Sequence, residues 1–299
     1  MVGGNCRLAF AFGHRGDTFH GSQVQPNLRT VQSSLQEALY ELGFIKKANA
    51  SGQPCILSSR TDAGVHVRMN IAAIDIPEAV WNGMGESGFL TAMNDQLDGD
   101  IVVWGAQKTE DDWNPRRAIS RTYRYRLEGC FDWRGAEKKQ FCEWLNVFVG
   151  QHDFNNFRKV DEVPSTIREI LSLKPWIENE IIIGFEIQGR AFLWNMVRRI
   201  AAALCGLSKD VFTIEKVLQA LNEPNVEHDL GLAVADWLVL WEVEHEEINL
   251  SQKARVLILE HPLSRPPNRY DNRANDRWIE RAKLEQIMLC HSEWEGLIS

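Results

Sequence analysis

The residues best suited to chemistry lie in one short segment, Ser59–His66. Its Thr61-Asp62-Ala63-Gly64 stretch is good turn chemistry, because Asp can close an Asx-turn and Gly can adopt a positive φ. A functional interpretation depends on Arg60, two residues before Asp62, because a nearby guanidinium keeps a carboxylate charged. A charged carboxylate can act as a nucleophile or a base. The segment therefore predicts either an ordinary turn or a catalytic carboxylate at Asp62.

A second candidate is the basic segment from Trp113 to Leu127, which contains no acidic residue. The net charge of −8 argues against a nucleic-acid partner at first sight, but a local basic stripe can contact phosphates whatever the total charge. Tyr123 and Tyr125 share one face of a period-two strand, where a ring could stack on an unpaired base. The alternatives are a solvated basic face and tyrosines that belong to the core. The arginines of the segment are Arg116, Arg117, Arg121, Arg124 and Arg126.

A third candidate is Phe192–Ile200, where apolar residues recur at helical spacing and Arg198 and Arg199 lie off the apolar face. It could carry a functional arginine or be a plain amphipathic helix. No glycine-rich phosphate loop, dinucleotide fingerprint or metal-ligand spacing accompanies these segments. The sequence therefore predicts no metal and no nucleotide cofactor.

The composition is that of a soluble globular protein with a substantial core: 299 residues, 44% hydrophobic and 25% charged. The longest apolar runs are too short to cross a bilayer, and the first residues lack the pattern of a signal peptide. The six cysteines form no C-x-x-C pair, which suits reduced thiols. These features predict a cytoplasmic protein with no membrane partner.

Hydrophobic periodicity predicts two similar halves, each with strands interleaved with two helical segments. In the first half, Thr30 should cap a helix that ends at Gly43, and residues 83–88 should form a loop. This order favours an α+β fold and leaves an α/β fold open. The predicted strands cover residues 7–12, 71–76, 101–106, 122–127, 181–187 and 234–243.

Together these segments resemble the tRNA pseudouridine synthase A family, with matches in the same order over most of residues 7–244. Arg60–His66 resembles the family's catalytic motif, which is highly specific, and Met196-Val197-Arg198 resembles its arginine-bearing helix. The other matching blocks are Phe19–Pro26 with Thr30–Gln32, Asn114–Tyr125 and Gly150–Phe157. The chain departs from the family's common residues at Ser22, Ser59, Val67 and Trp194-Asn195.

The resemblance implies a role for each matching position. Asp62 would be the catalytic carboxylate, Tyr123 would stack on the target base and assist proton removal, and Arg198 would pair with Asp62. Arg60 would hold the backbone around the flipped nucleotide. The expected substrate-binding residues are Tyr123, His66, Arg116, Arg121 and Arg124.

The resemblance also implies a domain organisation. We expect two ferredoxin-like subdomains, 1–110 and 111–245, that form one extended, mainly antiparallel sheet with helices on one face and the catalytic cleft between the halves. Residues 246–299 lie outside the resemblance and form an extension. Within it, residues 262–275 are typical of a loop and residues 277–289 of a final helix.

The implied activity is isomerisation of uridine to pseudouridine in tRNA, in the anticodon stem-loop at positions 38 to 40. A homodimer is expected because one tRNA would span both subunits, and no metal or organic cofactor is needed. Two other functions stay open. One is a catalytically inactive tRNA-binding relative, and the other is an N-glycoside hydrolase that uses Asp62 with Asp17 or Asp75.

Overall fold

The computed structural model describes residues 4–46, 54–248, 250, 263–266 and 272–298, with side chains left out for 272–277. These residues fall into two compact units. The first unit takes the described residues of Met1–Ile119, Leu240–Leu259 and Ile287–Ser299. The second unit takes those of Ser120–Val239 and Glu260–Gln286.

The first unit is built on four strands in its N-terminal part: β1 (Asn5–His14), β2 (Cys55–Leu57), β3 (His66–Pro77) and β4 (Ile101–Thr109). Strand β1 pairs antiparallel with β3 on one side and with β4 on the other, and β2 pairs antiparallel with β3. The strands predicted over 7–12, 71–76 and 101–106 are confirmed, and each is longer than its apolar run. Strand β3 begins only four residues after Asp62, so the sheet directly positions the candidate catalytic segment.

Helix α1 (Val31–Glu41) confirms the predicted N-cap at Thr30. The Thr30 hydroxyl accepts from the Ser33 amide at 3.3 Å, and the Ser33 hydroxyl accepts from the Thr30 amide at 3.0 Å, which forms a reciprocal capping box. Gly43 adopts φ +71 just after the helix, the left-handed geometry that commonly ends one.

Helix α2 (Glu78–Gln96) shows that the loop predicted over 83–88 is wrong. The glycines in this segment lower its helix propensity. Only Gly85 leaves the helical conformation (φ 60, ψ −169), and it kinks an otherwise continuous helix. Phe89 and Met93, both fully buried, anchor the part after the kink in the core.

The second unit contains strands β5 (Ser120–Arg126), β6 (Gly150–Asp153), β7 (Ile167–Glu178) and β8 (Ile181–Gly189). They lie in the order β5-β8-β7-β6, and each neighbouring pair is antiparallel. The strands predicted over 122–127 and 181–187 are confirmed. Strand β7 has mostly half-buried or exposed positions, so it gives no apolar run for sequence patterning to detect.

Three helices cover this sheet: α3 (Lys138–Asn146), α4 (Met196–Ser208) and α5 (Ile214–Asn222). The apolar stripe that begins at Leu193 is confirmed as a helix, but the helix itself starts later. The reason is Asn195, which takes a left-handed conformation (φ 66) at the N-cap.

The C-terminal residues add one strand and one long helix. Strand β9 (Leu238–Glu244) starts later than predicted, because a short 3-10 helix precedes it at Ala235–Trp237. Helix α6 (Asn272–Ile298) confirms the predicted final helix and extends it at both ends. Of the loop predicted over 262–275, residues 263–266 have no regular structure, 272–275 are helical, and the others lie outside the described residues.

The α+β class with mainly antiparallel pairing is therefore confirmed in both units. No helix among the described residues is long and apolar enough to span a membrane. All six cysteines lie within the described residues, and none of them takes part in a disulfide there.

Candidate active site

The loop between β2 and β3 carries Asp62 in the first unit. Asp62 is half-buried, and its carbonyl accepts from the Val65 amide at 3.2 Å, which closes a turn. Gly64 has φ +86 inside this turn, a conformation that a residue with a Cβ adopts only with strain. The segment is therefore an ordered turn, and this turn fixes the backbone position of Asp62.

A second turn, Gly16–Ser22, packs directly against the Asp62 loop. The Gly64 amide donates to the Gly16 carbonyl at 3.1 Å. A Cβ on Gly16 would lie 2.4 Å from the carbonyl carbon of Val65, so only glycine allows the two backbones to come this close. Gly16 is thus required by the close approach of the two backbones, and Gly64 by its positive φ.

Ser22 holds both backbone groups of Thr61, the residue before Asp62. The Thr61 amide donates to Ser22 Oγ at 2.8 Å. The Thr61 carbonyl accepts from the Ser22 amide at 3.0 Å and from Ser22 Oγ at 3.2 Å. Ser22 is 1% exposed, so these bonds form away from solvent.

Asn70 of β3 holds both backbone groups of Ser59 in the same way. Asn70 Oδ1 accepts from the amides of Ser59 (3.2 Å) and Ile71 (2.9 Å), and Asn70 Nδ2 donates to the Ser59 carbonyl at 2.9 Å. A flipped amide would face two N–H donors with its own NH₂ group, so these partners fix its orientation. Asn70 is completely buried.

Two buried histidines lie beneath this loop. His66 Nδ1 accepts from the Gly16 amide at 3.1 Å, so the neutral ring carries its proton on Nε2. His14 is packed between Phe12 and Phe19, and burial lowers its pKa to about 4. At neutral pH His14 is therefore an uncharged core residue.

Arg60 is exposed, in contrast to the residues on either side of it. Its guanidinium makes no ion pair or hydrogen bond with the part of the chain that the structure describes. The loop thus fixes the backbone before and after Arg60 while its side chain reaches solvent, where a ligand's phosphate can approach it.

Tyr123 and Tyr125 lie in strand β5 of the second unit, but their surroundings differ. Tyr125 is fully buried, stacks on Phe185 with ring centroids 5.8 Å apart, and donates its hydroxyl proton to the Val234 carbonyl at 2.8 Å. It is a core residue. Tyr123 retains 8% exposure and meets the Phe192 ring edge-to-face at 5.1 Å.

Arg198 lies in the first turn of α4 and is half-buried. Its Nε donates to the Ala233 carbonyl at 2.8 Å, and its Nη1 donates to Asn195 Oδ1 at 3.1 Å. The left-handed Asn195 that starts the helix thus also orients the arginine.

The basic segment does not present its arginines uniformly. Arg116 and Arg117 are exposed in a short 3-10 helix that belongs to the first unit. In the second unit, Arg121 is 9% exposed, donates from Nη1 to the Arg190 carbonyl at 2.5 Å, and has a pKa lowered by burial. Arg124 forms a salt bridge with Glu186 at 2.8 Å.

Arg126, the last arginine of the segment, is completely buried. It lies 3.4 Å from carboxylate oxygens of both Glu128 and Glu285, and it donates to the Ser264 carbonyl at 2.9 Å. Two of these partners come from the C-terminal extension. Arg126 is therefore a structural residue, unlike the exposed members of the basic segment.

Sequence comparisons extend over most of the chain. A family model described as tRNA pseudouridine synthase matches residues 145–246. The chain is 34% identical to tRNA pseudouridine synthase A of Methanosarcina barkeri over 242 residues, which is 81% of this chain and 85% of the relative. The proteins of the same name from Archaeoglobus fulgidus (35%, covering 81% and 84%) and Thermococcus sibiricus (36%, covering 83% and 88%) are similar.

The chain belongs to the tRNA pseudouridine synthase A family. The resemblance drawn from the motifs is therefore confirmed, and the protein is an isomerase of the pseudouridine synthase class. Among the described residues, no three His, Cys, Asp or Glu side chains are grouped closely enough to hold a metal ion.

Sequence patterning did not identify Ser22 and Asn70, the two side chains of this synthase that bind the backbone of the Asp62 loop. Asn70 left a detectable signal, since a polar residue inside the buried strand β3 must satisfy its amide with specific partners. Ser22 stood out only as a departure from the family's common residue, and a serine after a glycine is ordinary turn composition that indicates no contact.

Proposed function

We propose that this protein converts uridine to pseudouridine in the anticodon stem-loop of tRNA, at positions 38 to 40, with Asp62 as its catalytic carboxylate. The observation that carries the proposal is the ordered turn that holds Asp62, within a chain of the pseudouridine synthase family. Both backbone groups of Thr61 are bound, and the Asp62 carbonyl closes the turn to Val65. A catalytic side chain needs a backbone that is fixed in this way.

The reaction breaks the glycosidic bond of uridine, turns the uracil and rejoins it to the ribose through carbon 5. The hydrogen released from carbon 5 is replaced by one on nitrogen 1, so the composition of the base is unchanged and the balance requires no redox cofactor. In this proposal Asp62 either attacks the sugar or removes a ribose proton. In the proposal, Arg198 pairs with this carboxylate.

The target base must leave its stack, which costs a few kcal/mol. In the proposal, Tyr123 stacks on the flipped base and returns about 1–3 kcal/mol of this cost. Arg60 holds the backbone of the flipped nucleotide, and its exposed guanidinium supports this role. His66 is also proposed to contact the substrate; its ring is 3% exposed, and its Nδ1 accepts from the Gly16 amide.

Arg116, Arg121 and Arg124 are proposed to bind the tRNA backbone. The exposure of Arg116 supports direct phosphate contact. Arg121 is buried and Arg124 is half-buried, and they bind the Arg190 carbonyl and the Glu186 carboxylate, so we expect each to contribute less.

The hydrolase alternative needs a second acid that can donate a proton near neutral pH. Asp17 is unsuited to this. Burial raises its pKa, but the hydrogen bond and charge of Arg15, 2.6 Å away, outweigh burial and leave the pKa lowered. Asp75 is held by Arg7 through two bonds of 2.8 Å. Both carboxylates are therefore paired with arginines.

We further propose that the protein acts on tRNA as a homodimer in the cytoplasm. Residues 1–110 would form the subdomain with the catalytic carboxylate, 111–245 the second synthase subdomain, and 246–299 an extension.

Asp62→Asn in the full-length protein tests the catalytic assignment, with release of tritium from carbon 5 of labelled uridine in tRNA as the assay. We expect turnover to fall at least about a thousandfold, because the reacting group is lost, while tRNA affinity persists. Asp112→Asn, an exposed acid of the same unit, is the matched control and should leave turnover unchanged. Substantial turnover by the Asp62 variant would refute the assignment.

The product formed in the same assay distinguishes an isomerase from a hydrolase and from an inactive tRNA-binding relative. Isomerisation releases the label with the RNA mass unchanged, hydrolysis frees uracil, and an inactive relative does neither. Mapping pseudouridines in tRNA from a strain that lacks this protein tests the position. Loss confined to sites outside the anticodon stem-loop would exclude positions 38 to 40.

A further inference from the structure

Ser59 and Thr61 flank Arg60, and their backbone groups are bound by two polar side chains from elsewhere in the first unit. Ser22 comes from the Gly16–Ser22 turn, and Asn70 comes from strand β3. We propose that Ser22 and Asn70 are positioning residues for catalysis, which fix the backbone of Ser59–Thr61 and thereby aim the Asp62 carboxylate. This inference rests on the proposed catalytic role of Asp62.

The pairing of β2 with β3 ends at Leu57, so the backbone of Ser59–Thr61 needs hydrogen-bond partners from side chains. Ser59 and Thr61 are 7% and 9% exposed, so water cannot fully replace lost backbone partners. A buried backbone group without a partner is costly, which makes an alternative loop conformation unfavourable. The bonds from Ser22 and Asn70 therefore select one conformation of the segment that precedes Asp62.

The contact of Ser22 is specific to a small hydroxyl residue. Gly21, with φ +91, would place a Cβ 3.2 Å from the Thr61 carbonyl oxygen and 3.3 Å from the Ala63 amide nitrogen. The turn thus already lies in close contact with the loop. At this distance the Ser22 hydroxyl reaches both the amide and the carbonyl of Thr61, at 2.8 and 3.2 Å.

The backbone on the other side of Asp62 is fixed as well, by the bonds of Val65 to Asp62 and of Gly64 to Gly16. The peptide that joins Asp62 to Thr61 is therefore the link through which Ser22 acts on the carboxylate. Loosening that peptide shifts the carboxylate relative to the ribose, and a displacement of about 1 Å can reduce a rate about a hundredfold. The role of Ser22 is therefore expected to appear in the chemical step and not in tRNA affinity.

Ser22→Ala tests the inference, because it removes the hydroxyl but keeps the bond from the Ser22 amide to the Thr61 carbonyl. We expect the single-turnover rate of pseudouridine formation at saturating enzyme to fall about 10- to 100-fold. The tRNA dissociation constant should stay within about twofold of wild type, and Ser22→Thr, which keeps the hydroxyl, should recover most of the rate.

The matched control is Ser208→Ala in the second unit. Ser208 makes the same kinds of bond, accepting from the Arg134 amide at 3.0 Å and donating to the Cys205 carbonyl at 2.8 Å, but it lies in the other unit from the Asp62 loop. A rate for Ser22→Ala within about twofold of this control would overturn the inference. Amide exchange of Thr61 gives an independent measure, and unchanged protection in Ser22→Ala would also overturn it.

Asn70→Asp tests the second positioning residue. It can keep both bonds in which Oδ1 accepts, but it sets a carboxylate oxygen against the Ser59 carbonyl in place of the Nδ2 donor. We expect about a tenfold lower single-turnover rate at unchanged tRNA affinity. An unchanged rate would exclude Asn70 from the proposal.

Asp62→Asn in the same assay separates this inference from the proposed function. If Asp62→Asn abolishes turnover and Ser22→Ala does not lower it, only the positioning role fails. If Asp62→Asn turns over at the wild-type rate, the catalytic role of Asp62 fails, and the inference fails with it.

Discussion

The two units secure their candidate functional residues by different means. In the first unit, neutral side chains hold the backbone of the Asp62 loop, and Arg60 projects from it into solvent. In the second unit, the arginines of β5 are themselves held, Arg121 by a carbonyl and Arg124 and Arg126 by carboxylates. A count of arginines therefore overstates the positive charge that the second unit offers to RNA.

The difference also explains how an acidic protein can bind a polyanion. Most of the charges in the basic segment of the second unit balance partners within the same unit, so they contribute to folding. The charges best placed for phosphate contact are exposed ones such as Arg60 and Arg117. Distribution and exposure decide binding, and the net charge of −8 does not.

The largest expected effect concerns Arg126, the completely buried arginine of the basic segment. Arg126→Ala should lower the free energy of unfolding by about 3–5 kcal/mol, because it removes a completely buried guanidinium from the buried carboxylate of Glu128 and the half-buried carboxylate of Glu285. Arg124→Ala on the same strand is the matched control. Its salt bridge with Glu186 is about one-third exposed, so we expect a loss of at most about 1 kcal/mol. Urea denaturation measures both, and equal losses would contradict the comparison.

A smaller effect is expected from pH. Burial lowers the pKa of His14 from 6.5 to about 4, so the unfolded state binds a proton first as the pH falls. The stability that His14 contributes is complete above pH 6.5 and is lost towards pH 4, by about 3 kcal/mol at most. Glu128 in the second unit acts in the opposite direction. Burial raises its pKa despite Arg126 and Arg265, so its contribution increases as the pH falls.

The first unit should therefore lose amide protection before the second as the pH is lowered from 7 to 4. His14→Gln removes the titrating ring and should flatten the dependence of stability on pH over this range. Hydrogen exchange resolved by unit and urea titrations at several pH values test this. An identical pH dependence in wild type and variant would show that His14 does not titrate as its burial requires.

The elements that sequence patterning predicted are those whose apolar residues repeat regularly. Strands β1 and β5 and the capped helix α1 are examples, and a specific motif marked Asp62. The kinked helix α2 was misread because three glycines resemble a loop, whereas only Gly85 departs from helical geometry. Strand β7 was missed because few of its residues are buried.

The candidate site was predictable for residues that carry their own chemistry and not for residues that act through contacts. Asp62 and Arg198 lie in recognisable motifs. The role of Ser22 arises only because Gly16 and Gly21 bring a turn against a loop about forty residues away in sequence, which no local pattern encodes. The different environments of Arg124 and Arg126 likewise depend on partners from distant segments, Glu186 and Glu285.

The smallest expected effect separates exposed from paired arginines by the salt dependence of tRNA binding. Arg117→Gln, at an exposed arginine of the same segment, should reduce the slope of log affinity against log salt by about 0.7–0.9, the value for one lost phosphate contact. Arg124→Gln should reduce it by less, because Glu186 already neutralises part of that charge in the free protein. Binding measured between about 50 and 200 mM salt tests this. If Arg124→Gln changed the slope as much as Arg117→Gln, Arg124 would have to leave Glu186 completely for RNA, and the contrast between exposed and paired arginines would not hold in the complex.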